Sequence, residues 1–318
     1  MPTNQQIIKN GALTTSNISS GLLSPEQAQQ FIKQTFEATA LGGLIRKEMR
    51  RAKTGEIDKI GIDSRILRKK AENTDDGYRA KPKFDKVEYA TTAVRLPWEI
   101  TEESLRENIE RQNFESIVTN LMTTQLGIDL ENLYINGDEA TPSSDEDYDF
   151  LKINEGWLKQ LQTGSHLEDR SAKDNGALSL DVFYNTLEQM PNKYNDGTLK
   201  WLVAPSTRQK WEQYLLNQSI SNGGGLSDSV MRAPGGIEFV SVPRKPADQI
   251  LLTNPKNLNV VNTYDVKIRK TTEGEKAIMQ DKRFYVVHLD FDPVIEEKDA
   301  VVLVKGLFQP ATPGGGGA

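Results

Sequence analysis

The chain has 318 residues, of which 36% are hydrophobic, and its formal net charge is −6. That length and apolar content suffice for one large or two modest domains, and no stretch reaches the about 18 to 20 consecutive apolar residues of a membrane helix. The chain contains no cysteine, which excludes disulfides and thiolate metal sites, and residues 1–10 lack the basic start and apolar run of a secretion signal.

Charge is unevenly distributed along the chain. Residues 46–95 hold 15 Lys and Arg against 9 Asp and Glu, a net of +6, so the remaining 24 basic and 36 acidic residues carry −12. A basic segment on an acidic body can be attracted to another copy of itself, or it can bind nucleic acid. Self-association is favoured, because acidic residues are interspersed with the basic ones and few aromatic rings (Tyr78, Phe84 and Tyr89) are available for base stacking.

The chain starts with a polar segment followed by a short helix. Residues 1–23 are rich in Asn, Gln, Ser, Thr and Gly, which predicts an extended arm or a disordered tail. Ser24, Pro25 and Gln27 match the capping pattern of a helix start, and Gly42-Gly43 predicts its end. The apolar residues in this helix keep helical spacing: Ala28, Phe31, Ile32 and Phe36.

Residues 56–101 are the most informative segment, because they predict a long two-stranded ribbon with a charged tip. The second arm alternates from Val87 to Arg95, and Asp76-Gly77 is a turn signal. The apolar residues are too few to build a core of their own, and an isolated hairpin is marginal in water. We therefore expect the ribbon to be mobile until it docks on a neighbouring molecule, which favours assembly over catalysis.

A long helix follows the ribbon at once. Thr101 is its predicted N-cap, and Glu102 and Glu103 are favourable at the positive N-terminal end. An approximately helical apolar stripe continues to Tyr134, and residues 136–138 (NGD) end the helix. About 33 residues at about 1.5 Å each give a spine of about 50 Å.

The rest of the chain alternates short helices and strands. Ser179 is predicted to cap a helix over residues 180–190, and Ser206, with Gln209 three residues on, to cap another that ends at Leu216. The predicted strands are residues 201–204, 237–242, 249–253, 258–268, 283–289 and 300–307.

Residues that could support catalysis or bind a metal are scarce. The two histidines, His166 and His288, lie in separate contexts, and no Gly-rich phosphate loop with a following Lys-Ser/Thr is present. The acidic residues 143–149 resemble part of a calcium loop but lack its glycine and distal Glu, so a solvated loop is favoured. We expect no enzymatic activity, no metal and no cofactor. The tryptophans are expected to be core or interface anchors: Trp98, Trp157, Trp201 and Trp211.

Four stretches carry a family resemblance through their order and spacing, although none is a strict motif. They are residues 127–138 (GIDLENLYINGD), 201–208 (WLVAPSTR), 250–258 (ILLTNPKNL) and 300–306 (AVVLVKG). Together with the order of polar arm, short helix, charged ribbon, spine, mixed α/β region and closing strands, they resemble the tailed-phage major capsid proteins of the HK97 type. The resemblance covers roughly residues 20–308.

The resemblance implies an α+β, HK97-type capsid fold. Residues 56–100 would be the E-loop, a hairpin that lies over a neighbouring subunit, and residues 101–134 the spine helix. The implied division is 1–23, N-terminal arm; 24–55, N-terminal helix and connector; 56–100, E-loop; 101–197, peripheral domain; 198–266, axial domain around five- and six-fold centres; 267–308, return strands of the peripheral domain; and 309–318, a flexible Gly-rich tail.

The resemblance also implies a function: a structural protein that self-assembles into pentamers and hexamers of an icosahedral shell around phage double-stranded DNA, without sequence-specific binding. The protein would be found in the virion, and in the bacterial host cytoplasm during assembly, with no membrane partner. A long, charged, helical N-terminal extension is lacking, so a separate scaffolding protein is expected, as is a portal protein. Inter-subunit contacts are expected at the E-loop tip, at Arg65, Arg68, Lys69, Lys70, Asp75, Asp76, Arg79, Lys81 and Lys83.

Three alternatives stay open. An encapsulin-like compartment shares the implied fold but encloses enzymes, and it needs an inner pocket for a cargo peptide that the sequence does not identify. A soluble α/β binding protein or enzyme would need a compact ribbon and a convergent polar site. A nucleic-acid-binding module would bind DNA in a salt-sensitive manner through residues 68–70.

Covalent crosslinking is a further possibility that the resemblance raises. Some relatives join an E-loop lysine to an asparagine of a neighbour, and four lysines of this ribbon are available: Lys69, Lys70, Lys81 and Lys83. Solvated lysines that pair with acidic residues are the simpler interpretation.

Overall fold

A computed structural model describes residues 39–62, 65–69, 77–107, 114–162, 166–171, 176–222, 234–263, 267–272 and 274–308. The predicted arm over residues 1–23, the helix that starts at Ser24 and the tail over 309–318 lie outside the described residues.

The described elements begin with four strands and four helices, and the rest of the chain mixes both types. The strands are β1 (Arg46–Arg50), β2 (Thr54–Gly61), β3 (Lys83–Ala90), β4 (Thr92–Thr101), β5 (Leu167–Asp169), β6 (Lys200–Val203), β7 (Phe239–Ser241), β8 (Ile250–Thr253), β9 (Leu258–Thr263), β10 (Lys267–Thr271), β11 (Lys282–Ile295) and β12 (Val301–Lys305). The helices are α1 (Glu102–Glu107), α2 (Phe114–Asn136), α3 (Tyr148–Leu151), α4 (Trp157–Leu161), α5 (Leu180–Gln189), α6 (Pro205–Asn222) and α7 (Glu275–Gln280). Short 3₁₀ turns lie at Asn192–Tyr194, Pro234–Gly236, Pro255–Asn257 and Lys298–Ala300.

These strands form two larger sheets and a separate ribbon. In the first sheet the order is β1-β9-β11-β10, and β4 also pairs with β11; in the second the order is β5-β12-β8-β6-β7. The ribbon consists of β2 and β3, which pair antiparallel from Thr54 opposite Ala90 to Gly61 opposite Lys83. The α+β class expected from the sequence is confirmed. The domain limits stay predictions, and the second sheet combines strands from residues 167–169, 200–253 and 301–305.

The described residues form two main apolar cores, and the first of them also contains Leu202, Leu251 and Leu303 of the second sheet. The first core packs α2 and α4 against β9 and β11, and in it Tyr134 contacts Trp157 and Phe291 with ring centroids 5.9 and 5.2 Å apart. The second core packs α5 and α6 on the second sheet, where Phe183 lies 5.0 Å from Trp201 and 4.8 Å from Trp211. All four tryptophans are buried, in agreement with their predicted role as anchors.

The spine predicted over residues 101–134 is described as two helices, α1 and α2. The Thr101 hydroxyl accepts a hydrogen bond from the Ser104 N–H at 2.9 Å, which confirms the predicted cap. Arg283 donates from Nε to Glu102 at 2.6 Å and from Nη1 to Glu115 at 2.7 Å. In one straight helix these two glutamates would lie about 20 Å apart along the axis, too far for one guanidinium to bridge. The prediction of a single straight spine from residue 101 is therefore wrong, although α2 confirms most of its length.

Other boundaries also differ from the sequence predictions. The predicted strand over 258–268 is two strands, β9 and β10, and the strand predicted over 283–289 is the 14-residue β11. Ser206 lies inside α6, because Pro205, with its fixed φ, takes the first helical position, so the predicted Ser206 cap is wrong. Ser179 does occupy the N-cap of α5, but its side chain makes no capping hydrogen bond.

Candidate inter-subunit surface

The ribbon has two faces whose residues alternate along each strand. Opposite residues of an antiparallel pair point to the same side, so Ile57 with Val87 and Lys59 with Asp85 share one face. The other face carries Glu56 with Glu88, Asp58 with Lys86, and Ile60 with Phe84. We call these the inner face and the outer face of the ribbon.

The inner face docks on the body of the molecule. Ile57 and Tyr89 are buried in a small apolar cluster with Val261 of β9 and Val294 of β11. A Cβ at Gly55, opposite Tyr89, would lie 2.7 Å from the Tyr89 hydroxyl oxygen, so glycine is what allows the ring to cross the partner strand. The base of the ribbon is therefore fixed, in contrast to the mobility that the sequence suggests for the whole segment.

Polar contacts fix the same base. Lys59 Nζ donates to the Glu296 carbonyl oxygen at 2.6 Å and lies 3.5 Å from the Glu297 carboxylate. At the end of β3, the Ala90 N–H donates to Asp292 Oδ2 at 2.8 Å, and Lys53 Nζ lies 2.7 Å from Asp290 Oδ2. These contacts tie both strands of the ribbon to the C-terminal half of β11.

The pKa of the Asp292 carboxyl group is raised where the ribbon meets β11. Burial raises the pKa of its carboxyl group to about 6, although the hydrogen bond from the Ala90 N–H opposes that rise, and the charge of Glu139 adds to it. The carboxyl group lines a cleft of about 680 Å³ between β3 and the end of β11. Asp292 therefore titrates closer to neutral pH than an ordinary aspartate does.

Near the free end of the ribbon, the outer face carries exposed apolar residues in place of charged ones. Ile60 and Phe84, directly opposite each other, are 70% and 69% exposed, and Leu67 beyond them is 93% exposed. Large apolar side chains grouped on a projecting ribbon are typical of a contact surface, since scattered single ones would need no explanation. The outer face therefore has the character of an interface that the isolated chain leaves open.

The predicted tip residues lie just beyond this apolar group. Arg68 stacks 3.9 Å over the ring of Tyr78, and Arg79 Nη1 donates to the Tyr78 carbonyl oxygen at 2.9 Å, so the two arms meet here. The described members of the set are all exposed: Arg65, Arg68, Lys69, Arg79, Lys81 and Lys83. Lys70, Asp75 and Asp76 lie outside the described residues.

Comparison with known proteins shows which proteins share this fold. No family model matches the chain. The chain is 27% identical over 319 residues to YqbE of Bacillus subtilis (strain 168), which is provisionally named a prophage capsid protein, and the match covers 95% of this chain and 98% of that protein. A solved structure of the satellite phage P4 procapsid, with its size-determination protein, superimposes with a TM-score of 0.65 at 18% identity and covers 96% of this chain and 95% of its own. The chain therefore has the fold of the HK97-type capsid proteins.

A second capsid-like shell shares the fold. The holo-SrpI encapsulin complex of Synechococcus elongatus PCC 7942 superimposes with a TM-score of 0.53 at 14% identity, over 84% of this chain and 86% of that chain. The similarity to the capsid proteins is higher in identity, in coverage and in TM-score. The encapsulin is therefore the most distant likeness of the three.

The described structure does not bring together the residues that the sequence singled out for other chemistry. His288 lies in β11 of the first sheet, whereas His166, 3.8 Å from Asp299, lies at the start of β5 in the second. Across the described ranges, no group of three or more His, Asp or Glu side chains could hold a metal ion. In the acidic loop, Asp145 Oδ1 accepts from the Asp147 N–H at 2.9 Å. None of the helices described here combines the length and apolar content needed to cross a bilayer.

The sequence did not reveal the charged cluster that joins α1 and α2 to the first sheet. Arg283 of β11 binds Glu102 and Glu115, and Lys270 of β10 also contacts Glu115. Burial opposes ionisation of Glu115, but these two cations outweigh it and lower its pKa. The residues are up to 181 positions apart in sequence, so local patterns carry no signal for the cluster.

Proposed function

We propose that this protein is the major capsid protein of a tailed phage or prophage. Many copies would form rings of five and six that close into an icosahedral shell around packaged double-stranded DNA. The observation that carries the proposal is the outer face of the ribbon, where Ile60 and Phe84 are exposed on a projecting hairpin whose base is fixed.

The energetics of the ribbon favour a role between subunits. Its inner face is already buried on the body, and among the described residues Ile60 and Phe84 on the opposite face stay exposed. Fully burying one such side chain contributes about 1.5 to 3 kcal/mol. Each contact of this kind is weak, but a closed lattice repeats it in every subunit, and multivalency makes the whole shell stable.

Charge supports the same arrangement. The exposed basic residues of the tip, such as Arg65 and Lys69, would approach acidic surface of a neighbour, because the chain outside residues 46–95 carries −12. Exposed ion pairs contribute about 0 to 1 kcal/mol each, so they would set register more than affinity. An acidic body would also limit adhesion to the packaged DNA.

The finer assignments follow from the capsid role. The protein would reside in the virion, and in the bacterial cytoplasm while the shell is assembled. A separate scaffolding protein and a portal protein would be its assembly partners. DNA would be enclosed without sequence-specific contacts.

An encapsulin-like compartment is the second candidate, because the chain shares its fold with the Synechococcus shell. The two candidates differ in what the shell encloses. Shells recovered from cells would contain double-stranded DNA in the first case and a cargo enzyme in the second.

Electron microscopy of the purified, concentrated protein tests the proposal. Closed shells, or rings of five and six subunits, are the expected result. The variant Phe84→Ser should give fewer shells, while Phe84→Leu, which keeps an apolar side chain, should resemble the native protein. Monomers alone, even after co-expression with the neighbouring genes of the same phage or prophage, would contradict the proposal.

A further inference from the structure

One strip of the spine helix α2 is left uncovered by the described residues. Ile117 and Leu121, one helical turn apart, are 39% and 63% exposed, and Ile128 farther along is half-buried. The opposite side of α2 is packed in the first core through residues such as Leu126 and Leu130. Apolar residues at i and i+4 form one continuous surface on a helix, so Ile117 and Leu121 make an apolar strip.

The described chain enters the body beside this same helix. The Leu41 N–H donates to Glu131 Oε2 at 3.0 Å, and both residues are buried. Leu41 also lies with Ile135 and Trp157 around a small internal cavity. The polypeptide before Leu41 therefore leaves the body at the C-terminal part of α2.

The strip and this entry point lie on the same side of α2. At about 100° per residue, Ile117, Leu121 and Ile128 project about 40°, 80° and 60° from the direction of Glu131. Along the axis, Leu121 lies about 15 Å and Ile117 about 21 Å from Glu131. A segment that runs back from Leu41 along α2 would therefore meet the strip.

The preceding sequence has the length and pattern to cover the strip. The sequence predicts a helix that starts at Ser24 and ends at Gly42-Gly43, and its apolar positions within residues 24–36 include Ala28 and Phe31. The ten residues from Phe31 to Leu41 can span from about 15 Å in a helix to about 33 Å when extended, a range that includes the distance to Leu121. We propose that residues 24–36 dock on the Ile117–Leu121 strip of the same chain. This proposal does not depend on the shell function.

A disulfide test exploits the absence of cysteine from the chain. In the variant Phe31→Cys with Leu121→Cys, mild oxidation of dilute protein should give a faster-migrating monomer on a denaturing gel without reductant, and reductant should reverse it. The matched control, Gln30→Cys with Leu121→Cys, places the first thiol on the polar face of the predicted helix and should crosslink at least about tenfold less.

Two outcomes of that test would overturn the proposal. Crosslinked dimers in place of the fast monomer would assign the strip to a segment of another copy. Equal crosslinking of the test and control pairs would mean that residues 24–36 do not bind at a defined position on α2.

Limited trypsin digestion provides a second test, which does not depend on disulfide formation. Lys33 is a cleavage site within the segment. Leu121→Ser should increase the rate of cleavage there about tenfold, because losing the buried contact shifts the local opening equilibrium by that amount. Phe31→Ser should do the same, and the double variant should cleave no faster than either. Additive effects, or no effect of Leu121→Ser, would contradict docking.

Discussion

Phe84 on the outer face of the ribbon gives the sharpest test of the proposed inter-subunit contact. Its side chain is 69% exposed in the isolated chain and lies opposite Ile60, which is 70% exposed. A Phe84→Ser change should alter the free energy of unfolding of the monomer by no more than about 0.5 kcal/mol, as is usual for surface substitutions. The same change should weaken the shell much more.

The effect on the shell can be estimated from area. Burying the exposed two-thirds of a phenylalanine contributes about 2 kcal/mol, and every subunit supplies one ribbon. Because 1.4 kcal/mol is a factor of ten, the critical concentration for assembly should rise about 30-fold. Phe84→Leu, the matched control, should change that concentration by less than about threefold.

Light scattering against protein concentration measures this threshold, and chemical denaturation of unassembled protein measures the stability of the subunit. An unchanged threshold for Phe84→Ser would refute the role of the outer face. A decrease of about 2 kcal/mol in the free energy of unfolding of the monomer would also refute that role, because it would show that Phe84 is buried within its own chain.

Three further predictions concern the body of the protein. Burial lowers the pKa of Lys245 to about 7, although the charge of Asp248 opposes that change. The free energy of unfolding should therefore rise between pH 7 and about 10.5, because only the unfolded state binds the proton in that range. In denaturation curves, Lys245→Met should stabilise the protein by up to about 5 kcal/mol below pH 7, and this gain should vanish near pH 10.5. A gain that does not vary with pH would contradict the buried ammonium. Gly55→Ala should cost about 1 to 3 kcal/mol in thermal unfolding because of the Tyr89 ring, whereas Gly61→Ala, with open space at its Cβ, should be close to neutral. Arg283→Ala should cost about 1 to 3 kcal/mol, since it removes the cation that pairs with the half-buried Glu102 and leaves Glu115 with Lys270 alone. Arg208→Ala, at an exposed pair, should cost less than about 0.5 kcal/mol, and equal costs would mean that the cluster adds nothing to stability.

The sequence predicted elements best where one local pattern dominates. Alternation identified the ribbon, and β2 and β3 confirm its paired base. Its predicted extent was wrong at one end, because residues 92–101 form β4 and pair with β11 in the first sheet. A single helical stripe identified α2, and the Thr101 cap is present as predicted. In these segments, local propensity and burial favour the same structure.

Prediction failed where long-range contacts decide the structure. The second half of β11 contains Asp290, Asp292 and Pro293, residues that disfavour strands. The structure pairs this half with β9, and Asp290 and Asp292 fix the base of the ribbon. β1, which is short and basic, likewise forms only because it pairs in parallel with the buried β9.

The candidate surface was predicted in part. The sequence located the charged tip but treated the whole ribbon as unable to bury itself, because it could not show that Ile57 and Tyr89 find partners in Val261 and Val294. It also gave no weight to Ile60 and Phe84, since their pairing on one face depends on the strand register.

Electron microscopy of particles assembled from the purified native protein, with their contents analysed, is the most direct measurement of the proposed function. We predict closed icosahedral shells in which the outer face of each ribbon, with Ile60 and Phe84, lies against a neighbouring subunit, and double-stranded DNA inside shells recovered from cells. Shells in which Ile60 and Phe84 remain in solvent, or a protein that stays monomeric with its natural assembly partners present, would contradict it.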